Sequence, residues 1–429
     1  MKVVKVGLLG IGNIGKGTYR TLELNKEKIK KSVGLDIEIV KILNRHPEKD
    51  RGIDIPKEKY VTDVDQILND PEIDIVIELI GGIEPATEYM AAALSRGKGV
   101  VTANKAAIAA NGQKLQQLAQ ENKTLLRFEA SVGGGIPILT ALTNPLLANE
   151  FSEIHGILNG TTNYILTQMS EYGKDYAEVL KDAQEKGFAE ADPTADVEGL
   201  DAANKLSILI SLVFGLGVGP EEIPTQGITS IEADDINFAT EFEYKVKLLA
   251  SARKEGGRVS CNVEPALVPV DHPLASVSNE FNAVFVTGNA VDNLMFYGRG
   301  AGPMPTGSAV MGDVIDIARQ LDKGAAFDPV APLQYDADLE YAGEGANKYY
   351  IRVKALDEPG VLGKISTTLG SHNVGIESMI QRSGGNDQGV VPLIFIVHKV
   401  EKTVLDKALE DLKKNKYVES VDNVLRVEE

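Results

Sequence analysis

The chain has 429 residues, of which 43% are hydrophobic and 25% are charged, a composition typical of a folded globular protein. Its formal net charge of −18 argues against a nucleic-acid partner, because phosphate backbones are held mainly by clustered Lys and Arg. A small-molecule partner is favoured instead.

The cysteine count and the hydropathy pattern exclude several classes of protein. Cys261 is the only cysteine, which excludes an intrachain disulfide and a Cys-rich metal site and favours a reducing compartment. The longest apolar run, 206–219, is too short to cross a bilayer comfortably. Glycines interrupt the apolar stretch near the N-terminus, so it does not fit a signal peptide. We expect a cytoplasmic protein with no membrane partner.

Short β-rich runs alternate with helical segments over about the first 130 residues. The runs are "VVKVGLL", "DIEIVKIL", "IDIVIELI" and "GKGVVTA". Strands that alternate with helices predict an α/β fold, a Rossmann-type doubly wound parallel sheet with helices on both faces.

The rest of the chain predicts two further domains. Longer helices at 160–172, 175–186 and 197–214, together with several strands, indicate a mixed α+β domain for catalysis and dimerisation. The segment from 349 to 429 spells βαββαβ, a ferredoxin-like order. The predicted boundaries are a dinucleotide-binding domain at 1–135 with a returning helix at about 303–325, a substrate domain at 136–302, a linker at 326–348 and a regulatory domain at 349–429.

A G-x-G-x-x-G motif lies directly between the first strand and the first helix. Its glycines are Gly10, Gly12 and Gly15, and the loop also contains Asn13 and Ile14. Such glycines permit a tight turn and let a pyrophosphate approach the positive end of the helix dipole. The motif therefore predicts dinucleotide binding, with a purely structural Gly-rich turn as the alternative.

The residues after the second strand bear on the choice of cofactor. An acid there binds the ribose hydroxyls of NAD, whereas a basic residue accepts the 2′-phosphate of NADP. This chain has Asn44, Arg45 and His46. NADP is favoured over NAD, unless Arg45 is only a surface arginine.

Two lysines are candidates for chemistry. Lys105 follows a strand at the carboxyl edge of the sheet, where open α/β folds bind ligands. Lys205 lies four residues after Asp201, on one face of a helix that continues into an apolar stretch. The loop before this helix adds carboxylates, namely Glu190, Asp192, Asp196 and Glu198. A lysine in a carboxylate-lined cleft suits proton transfer to a carbonyl oxygen, although an ordinary surface salt bridge is the alternative.

Glu129 precedes a run of glycines in "EASVGGGIPI". A carboxylate beside exposed carbonyl groups suits a hard cation, and a tight chain path is the alternative. The five histidines have no metal-ligand spacing, so they are interpreted as non-metal residues.

The assembled motifs resemble the homoserine dehydrogenases that have a C-terminal ACT domain. The resemblance runs over nearly the whole chain and rests on "GLLGIGNIG", "VVTANK", "EASVGGGIPI", "GILNGTTNYIL", "GFAEADPTADVEGLDAANKL", "GRGAGPMPTGSAV" and "DEPGVLGKIS". It implies the reversible reduction of L-aspartate 4-semialdehyde to L-homoserine by a nicotinamide cofactor, in threonine, methionine and isoleucine biosynthesis.

The resemblance also implies roles for individual residues. Lys205 is the proton donor to the carbonyl oxygen, Asp201 orients substrate and lysine, and Glu190 holds the substrate ammonium. Lys105 lies between cofactor and substrate and steadies the developing alkoxide. The family's sodium site matches Glu129, Val132, Gly134 and Ile136, and its cofactor loops match Gly187 and Gly302.

The C-terminal domain is expected to bind an end-product amino acid, most plausibly L-threonine. ACT domains commonly pair and bind amino acids at the shared interface, and Asn373, Gly375 and Ile376 are offered by the adjoining loop and strand. A domain that only dimerises the chain is the alternative. We expect a homodimer or a homotetramer.

Two other classes of protein fit the sequence less well. The phosphorylating semialdehyde dehydrogenase needs a nucleophilic cysteine, whereas Cys261 in "RVSCNVEP" is typical of an ordinary strand residue. A non-catalytic regulatory protein that binds NADP and an amino acid would have no use for Asp201 and Lys205 together.

Overall fold

The computed structural model describes residues 2–323, 338–381 and 389–428. Its strands are β1 (Val3–Leu9), β2 (Asp36–Leu43), β3 (Tyr60–Val61), β4 (Ile75–Glu78), β5 (Gly99–Thr102), β6 (Leu126–Arg127), β7 (Phe151–Ile157), β8 (Tyr244–Glu255), β9 (Arg258–Pro269), β10 (Phe281–Gly288), β11 (Asp292–Arg299), β12 (Glu340–Tyr341), β13 (Ala346–Leu356), β14 (Ile376–Gln381), β15 (Val390–Glu401) and β16 (Val418–Val427). Its α-helices are α1 (Asn13–Val33), α2 (Asp65–Leu68), α3 (Ala86–Ser95), α4 (Lys105–Glu121), α5 (Leu139–Thr143), α6 (Gly160–Tyr172), α7 (Tyr176–Glu185), α8 (Thr194–Val197), α9 (Leu200–Val213), α10 (Ala233–Glu241), α11 (Pro303–Lys323), α12 (Val361–Ser371) and α13 (Lys402–Lys413).

The chain divides into two compact units. The first unit comprises Met1–Glu153, Asn204–Glu222 and Phe281–Leu339, and the second comprises Ile154–Ala203, Ile223–Glu280 and Glu340–Glu429. Most of the linker predicted at 326–348, namely 326–337, lies outside the described residues.

A six-stranded parallel sheet forms the centre of the first unit. Its strand order is β3-β2-β1-β4-β5-β6, with β1 between β2 and β4. The last four residues of β1 are all buried, as expected of a central strand that is covered on both faces. In β2 the buried Ile37 and Ile39 alternate with partly exposed Asp36 and Glu38, and the strand ends in the buried pair Ile42 and Leu43. The predicted doubly wound sheet is confirmed.

Helix α11 packs against α1 inside the first unit. A Cβ atom on Gly17 of α1 would lie 1.9 Å from the carbonyl oxygen of Pro303, so only glycine permits this approach. Val310, Val314 and Ile317 of α11 are fully buried in the core of the sheet and its helices. The stretch in which the sequence predicts a returning helix thus covers the dinucleotide-binding sheet.

In the second unit a mixed sheet continues into the C-terminal segment. Part of its strand order is β7-β8-β9-β16-β13-β15-β14. β13, α12, β14, β15, α13 and β16 follow the predicted βαββαβ order, and β13 pairs antiparallel with both β15 and β16. β16 also pairs in parallel with β9, so the C-terminal segment shares a sheet with the strands before it.

Helix α9 is buried along most of its length, as its apolar sequence predicts. Leu206, Leu209 and Ile210 are completely buried. Among the described residues, no helix is long and apolar enough to cross a membrane.

Candidate active site

The glycine loop after β1 has the geometry of a phosphate-binding turn. Gly10 has a φ of 100°, which favours glycine, and a Cβ atom on Gly15 would lie 2.4 Å from the carbonyl oxygen of Gly10. Gly12 is exposed at the N-cap of α1, and among the described residues nothing lies within 4 Å of where its Cβ would be. Asn13 and Ile14 form the first turn of α1. The loop therefore leaves the positive end of the α1 dipole open to an anion.

The residues that follow β2 lie beside this loop. The backbone N–H of Gly10 donates to the carbonyl oxygen of Leu43, the last residue of β2, at 3.2 Å. Asn44 is buried, and its Oδ1 accepts from the guanidinium of Arg51 at 2.9 Å, which gives it a structural role. Arg45 is exposed, so its side chain is accessible to a ligand.

Lys105 is the first residue of α4, directly after the turn that follows β5. The preceding Asn104 caps the helix, because its Oδ1 accepts from the backbone N–H of Ala107 at 3.2 Å. Its Nδ2 donates to the carbonyl oxygen of Gly82 at 2.6 Å. The lysine is thereby carried on a fixed turn at the carboxyl edge of the sheet.

Glu78 is a buried residue that the sequence patterns did not single out. It ends β4, and its Oε2 accepts from the hydroxyl of Thr102, the last residue of β5, at 2.6 Å. Its Oε1 accepts from the backbone N–H groups of Ile80 and Gly81 at 2.7 and 3.2 Å. This carboxylate fixes the turns after two neighbouring strands, one of which leads to Lys105.

The side-chain carboxylate of Glu129 fixes the chain around it. Its two oxygens accept from the backbone N–H groups of Leu139 and Thr140 at 2.8 and 2.7 Å, and its own N–H donates to Asp313 at 2.9 Å. Burial, and then the negative charge of Glu129, hold the pKa of Asp313 well above its ordinary value. Gly134 has a φ of 52°, and its Cβ would lie 2.3 Å from the carbonyl oxygen of Gly300.

The donor atoms of this segment are oxygens, as a hard cation requires. They would come from the carboxylate of Glu129 and the backbone carbonyls of Val132, Gly134 and Ile136, of which the last already accepts from Ile138 at 2.9 Å. In the described part of the chain, no group of three or more His, Cys, Asp or Glu side chains could hold a metal ion. An oxygen-only donor set therefore fits a hard cation better than a transition metal, which favours nitrogen or sulfur ligands.

Two acids of the predicted cleft are joined by one amide in the second unit. Asp201 is the second residue of α9 and is only 5% exposed. The Nδ2 of Asn159 donates to Asp201 at 2.9 Å and also to Asp196 of α8 at 2.7 Å. Asn159 is part of "GILNGTTNYIL", but nothing in that motif indicates which side chains the amide contacts.

The remaining predicted residues lie in different surroundings. Lys205, one helical turn after Asp201, is 8% exposed, which argues against an ordinary surface salt bridge.

Glu190 is exposed in the loop after α7, with its carbonyl oxygen accepting from Gln184 at 3.1 Å. Gly187 and Gly302 have φ values of 75° and 117°, and Gly302 directly precedes α11. Cys261 is buried in β9, as expected of an ordinary strand residue.

A cavity of about 340 Å³ lies at the N-terminal end of α12, lined mainly by 356–362 together with Gln381 and Leu393. Gly360 caps α12 with a φ of 88° and provides no side-chain cap, so backbone N–H groups face this end. Asn373, Gly375 and Ile376 follow the C-terminal end of α12. The helix has 11 residues, so its two ends lie roughly 16 Å apart at a rise of about 1.5 Å per residue. Within one chain, the structure does not bring these three residues to the cavity.

The parallel sheet with its open glycine loop is typical of a nicotinamide-dependent oxidoreductase. The chain matches the family models described as homoserine dehydrogenase, NAD binding domain, over residues 10–129, homoserine dehydrogenase over 137–315, and ACT domain over 349–416. It belongs to the homoserine dehydrogenase family and is an NAD(P)-dependent oxidoreductase of that family. The alternative of a non-catalytic regulatory protein is therefore disfavoured.

Individual relatives cover the whole chain. It is 39% identical to the homoserine dehydrogenase of Bacillus subtilis, over 100% of this chain and 99% of that one, and 40% identical to that of Pseudomonas aeruginosa, over 96% of each. A crystal structure of a homoserine dehydrogenase from Thiobacillus denitrificans superposes with a TM-score of 0.93 at 37% identity, covering 100% of this chain and 99% of that one. A hyperthermophilic archaeal homoserine dehydrogenase in complex with NADPH gives a TM-score of 0.64 at 26% identity, covering 76% and 100%.

Proposed function

We propose that this chain catalyses the reversible reduction of L-aspartate 4-semialdehyde to L-homoserine, with Lys205 as the acid–base residue. The observation that carries the proposal is the burial of Lys205, one turn after an acid that is itself buried, in a member of the homoserine dehydrogenase family. Burying two ionisable groups is costly, so a helix that keeps both is expected to use them.

Each residue has a separate task in the reaction. When bound, the nicotinamide cofactor supplies the hydride that adds to the carbonyl carbon. Lys205 donates a proton to the carbonyl oxygen in reduction and accepts it in the reverse direction. Asp201 orients Lys205 and the substrate, Glu190 binds the substrate ammonium, and Lys105 stabilises the developing alkoxide.

We propose that NADP is the preferred cofactor, with NAD as the weaker alternative. Its pyrophosphate would bind the N–H groups of Gly12, Asn13 and Ile14, and its 2′-phosphate would bind the exposed Arg45. The hydrogen bond from the backbone N–H of Gly10 to the carbonyl oxygen of Leu43 supports cofactor binding by Arg45, because it holds the end of β2 beside the glycine loop. Gly15 permits the turn, and Gly187 and Gly302 are assigned to cofactor loops.

We further propose a sodium site at Glu129, Val132, Gly134 and Ile136, with a structural task. An oxygen-only donor set supports a hard cation there. The cation would stabilise the chain reversal that carries Gly133 and Gly134 at positive φ. We also propose the domain boundaries that the sequence predicts, namely 1–135 with a returning helix at about 303–325, 136–302, 326–348 and 349–429.

We propose that the ACT segment binds L-threonine as an effector and that the enzyme works as a homodimer or homotetramer in the cytoplasm. The cavity at the N-terminal end of α12 supports amino-acid binding, since backbone N–H groups there suit a carboxylate. Asn373, Gly375 and Ile376 would complete such a site from a second copy of the segment. A single buried cysteine suits a reducing compartment.

The test is an assay of NADPH oxidation with L-aspartate 4-semialdehyde, followed by identification of the product. Formation of L-homoserine in proportion to the NADPH consumed is expected. Turnover of NADPH without homoserine, or no turnover with either nicotinamide cofactor, would refute the proposal.

A further inference from the structure

Asn159 lies at the N-cap of α6 and is 5% exposed. Its Oδ1 accepts from the backbone N–H of Thr162 at 2.9 Å, as in an ordinary helix cap. Its Nδ2 donates to Oδ1 of Asp196 at 2.7 Å and to Oδ2 of Asp201 at 2.9 Å. The amide thus joins the start of α6 to α8 and to the first turn of α9.

The orientation of this amide is fixed by its contacts. A side-chain amide has two N–H donors, and a carboxylate can only accept. The flipped amide would turn its oxygen toward two carboxylates and its NH₂ toward a backbone N–H, which is unfavourable at all three contacts. Both donors therefore point to acids, and the cap holds them there.

The two acids share this donor. Asp196 and Asp201 lie on separate helices, α8 and α9, and both approach one nitrogen atom. Like charges that close together repel, and hydrogen bonds to the charged form offset the repulsion. A hydrogen bond to a charged group is roughly twice as strong as a neutral one.

We propose that Asn159 is a positioning residue for the reaction: it holds the carboxylates of Asp196 and Asp201 in one arrangement, so that the carboxylate of Asp201 has a fixed orientation when substrate binds. The inference rests on the proposed function, and it adds Asn159 to the residues that support the reaction. The amide acts through the acids and does not touch the reacting atoms.

The variant Asn159→Ser separates this role from helix capping. Serine caps helices about as well as asparagine but has no NH₂ group to bridge two acids. We expect kcat/KM with NADPH and the semialdehyde to fall about 10-fold or more, mainly through kcat, because a charged hydrogen bond is lost at each acid. The pH at which the acid limb of kcat/KM reaches half its maximum should move upward.

A second variant and a control make the test decisive. Asn159→Asp keeps the shape and the capping oxygen but places a third negative charge between the acids, so its loss of kcat should exceed that of the serine variant. Asn423→Ser is the matched control, because Asn423 is equally buried and its Nδ2 also donates to a buried carboxylate, Asp235, at 2.8 Å. That variant should lower the melting temperature and leave the pH profile of kcat/KM unchanged.

The outcomes distinguish the two proposals. If the wild-type enzyme is inactive on the semialdehyde, the proposed function fails, and the role of Asn159 fails with it. If the wild type is active and Asn159→Ser retains its kcat/KM and pH profile, Asn159 is only a helix cap. Should the serine variant not fold, a wild-type profile in Asn159→Asp would equally reduce Asn159 to a helix cap.

Discussion

Arg352 and Asp235 form an ion pair in which both side chains are almost completely buried. The Nε–H of Arg352, on β13, donates to Oδ1 of Asp235, on α10, at 2.8 Å, and their side chains are 1% and 0% exposed. Glu232 and Asp422 accept from the two terminal nitrogens of the same guanidinium at 2.8 and 3.2 Å. This pair fastens the ACT sheet to a helix of the segment that precedes it, inside the second unit.

The first prediction is that removing the arginine destabilises the protein strongly. Arg352→Ala leaves Asp235 buried without its counter-charge, so the free energy of unfolding should fall by about 3–5 kcal/mol. Chemical denaturation of the wild type and the variant measures this difference in the free energy of unfolding. Lys354→Ala is the control: Lys354 is half-exposed and pairs with Asp422 at 3.0 Å, so about 1 kcal/mol or less is expected. Equal losses in the two variants would contradict the assignment.

Local patterns predicted much of this fold because they depend on neighbours in the chain. The glycine loop, the apolar strands of the first unit and the buried α9 each follow from spacing within one segment. The Arg352–Asp235 pair joins residues 117 positions apart, and the pairing of β16 with β9 is similarly remote. No periodicity encodes such contacts.

The same distinction applies to the candidate site. Asp201 and Lys205 were identified because a helical repeat puts them on one face and an apolar stretch follows. Asn159 lies 42 positions before Asp201, and its type suggests only a helix cap. Glu78 ends an apolar strand and is tied to Thr102, 24 positions later, so its burial depends on which strands become neighbours.

The second prediction concerns the pH dependence of stability. Burial raises the pKa of Glu264 from 4.5 to about 7, against the opposing effect of Arg426. The folded protein therefore holds this proton more tightly than the unfolded chain, and the resulting stability is fully present below pH 4.5 and lost as the pH rises through 7. Glu264→Gln keeps the size of the side chain but cannot ionise. As the pH rises from 4.5 through 7, the free energy of unfolding of Glu264→Gln should therefore increase relative to that of the wild type, by something on the order of 3 kcal/mol.

Denaturation curves at pH 4.5, 5.5, 6.5 and 7.5 would measure this difference between Glu264→Gln and the wild type. A difference that stays constant over the series would show that Glu264 does not titrate there. Glu255, at the exposed end of β8, provides the control, since Glu255→Gln should leave the pH dependence unchanged.

The third prediction is that Lys205→Ala lowers kcat by 100-fold or more with little effect on cofactor binding. General acid–base groups typically contribute about 10²–10⁴-fold to the rate. Lys98→Met is the matched control, because Lys98 is also a buried lysine, yet its Nζ donates to the carbonyl oxygens of Asp70 and Ile73 at 2.5 and 2.8 Å. Steady-state kinetics and NADPH titration decide the point. Near-normal turnover in the Lys205 variant would remove that residue from the mechanism.

The fourth prediction is that Arg45→Ala reduces the preference for NADPH over NADH. The exposed guanidinium is expected to bind the 2′-phosphate, so kcat/KM for NADPH should fall while that for NADH changes little. Arg20→Ala is the comparison variant, because Arg20 is an exposed arginine of α1 that donates to the carbonyl oxygen of Gly52 at 2.7 Å. The ratio of kcat/KM for NADPH to kcat/KM for NADH is compared between the wild type, Arg45→Ala and Arg20→Ala. If this ratio is the same in all three, or if the wild type prefers NADH, Arg45 is a surface residue only.

The last prediction is that L-threonine inhibits the enzyme through the ACT segment. An effector can change catalysis only through different affinities for two states of the enzyme, so variants that lose binding must lose inhibition and keep uninhibited kcat. Deleting the segment is a poor test, because β16 pairs with β9 and Arg352 binds Asp235.

Two substitutions serve instead: Gln381→Ala alters the wall of the cavity, and Asn373→Gly removes an amide at a residue whose φ of 59° glycine tolerates. Both should raise the threonine concentration for half-inhibition about 10-fold, whereas Thr367→Ala, on the exposed face of α12, should not. Unchanged inhibition in both variants, or no threonine binding to the wild type by calorimetry, would leave the segment with a role in assembly alone.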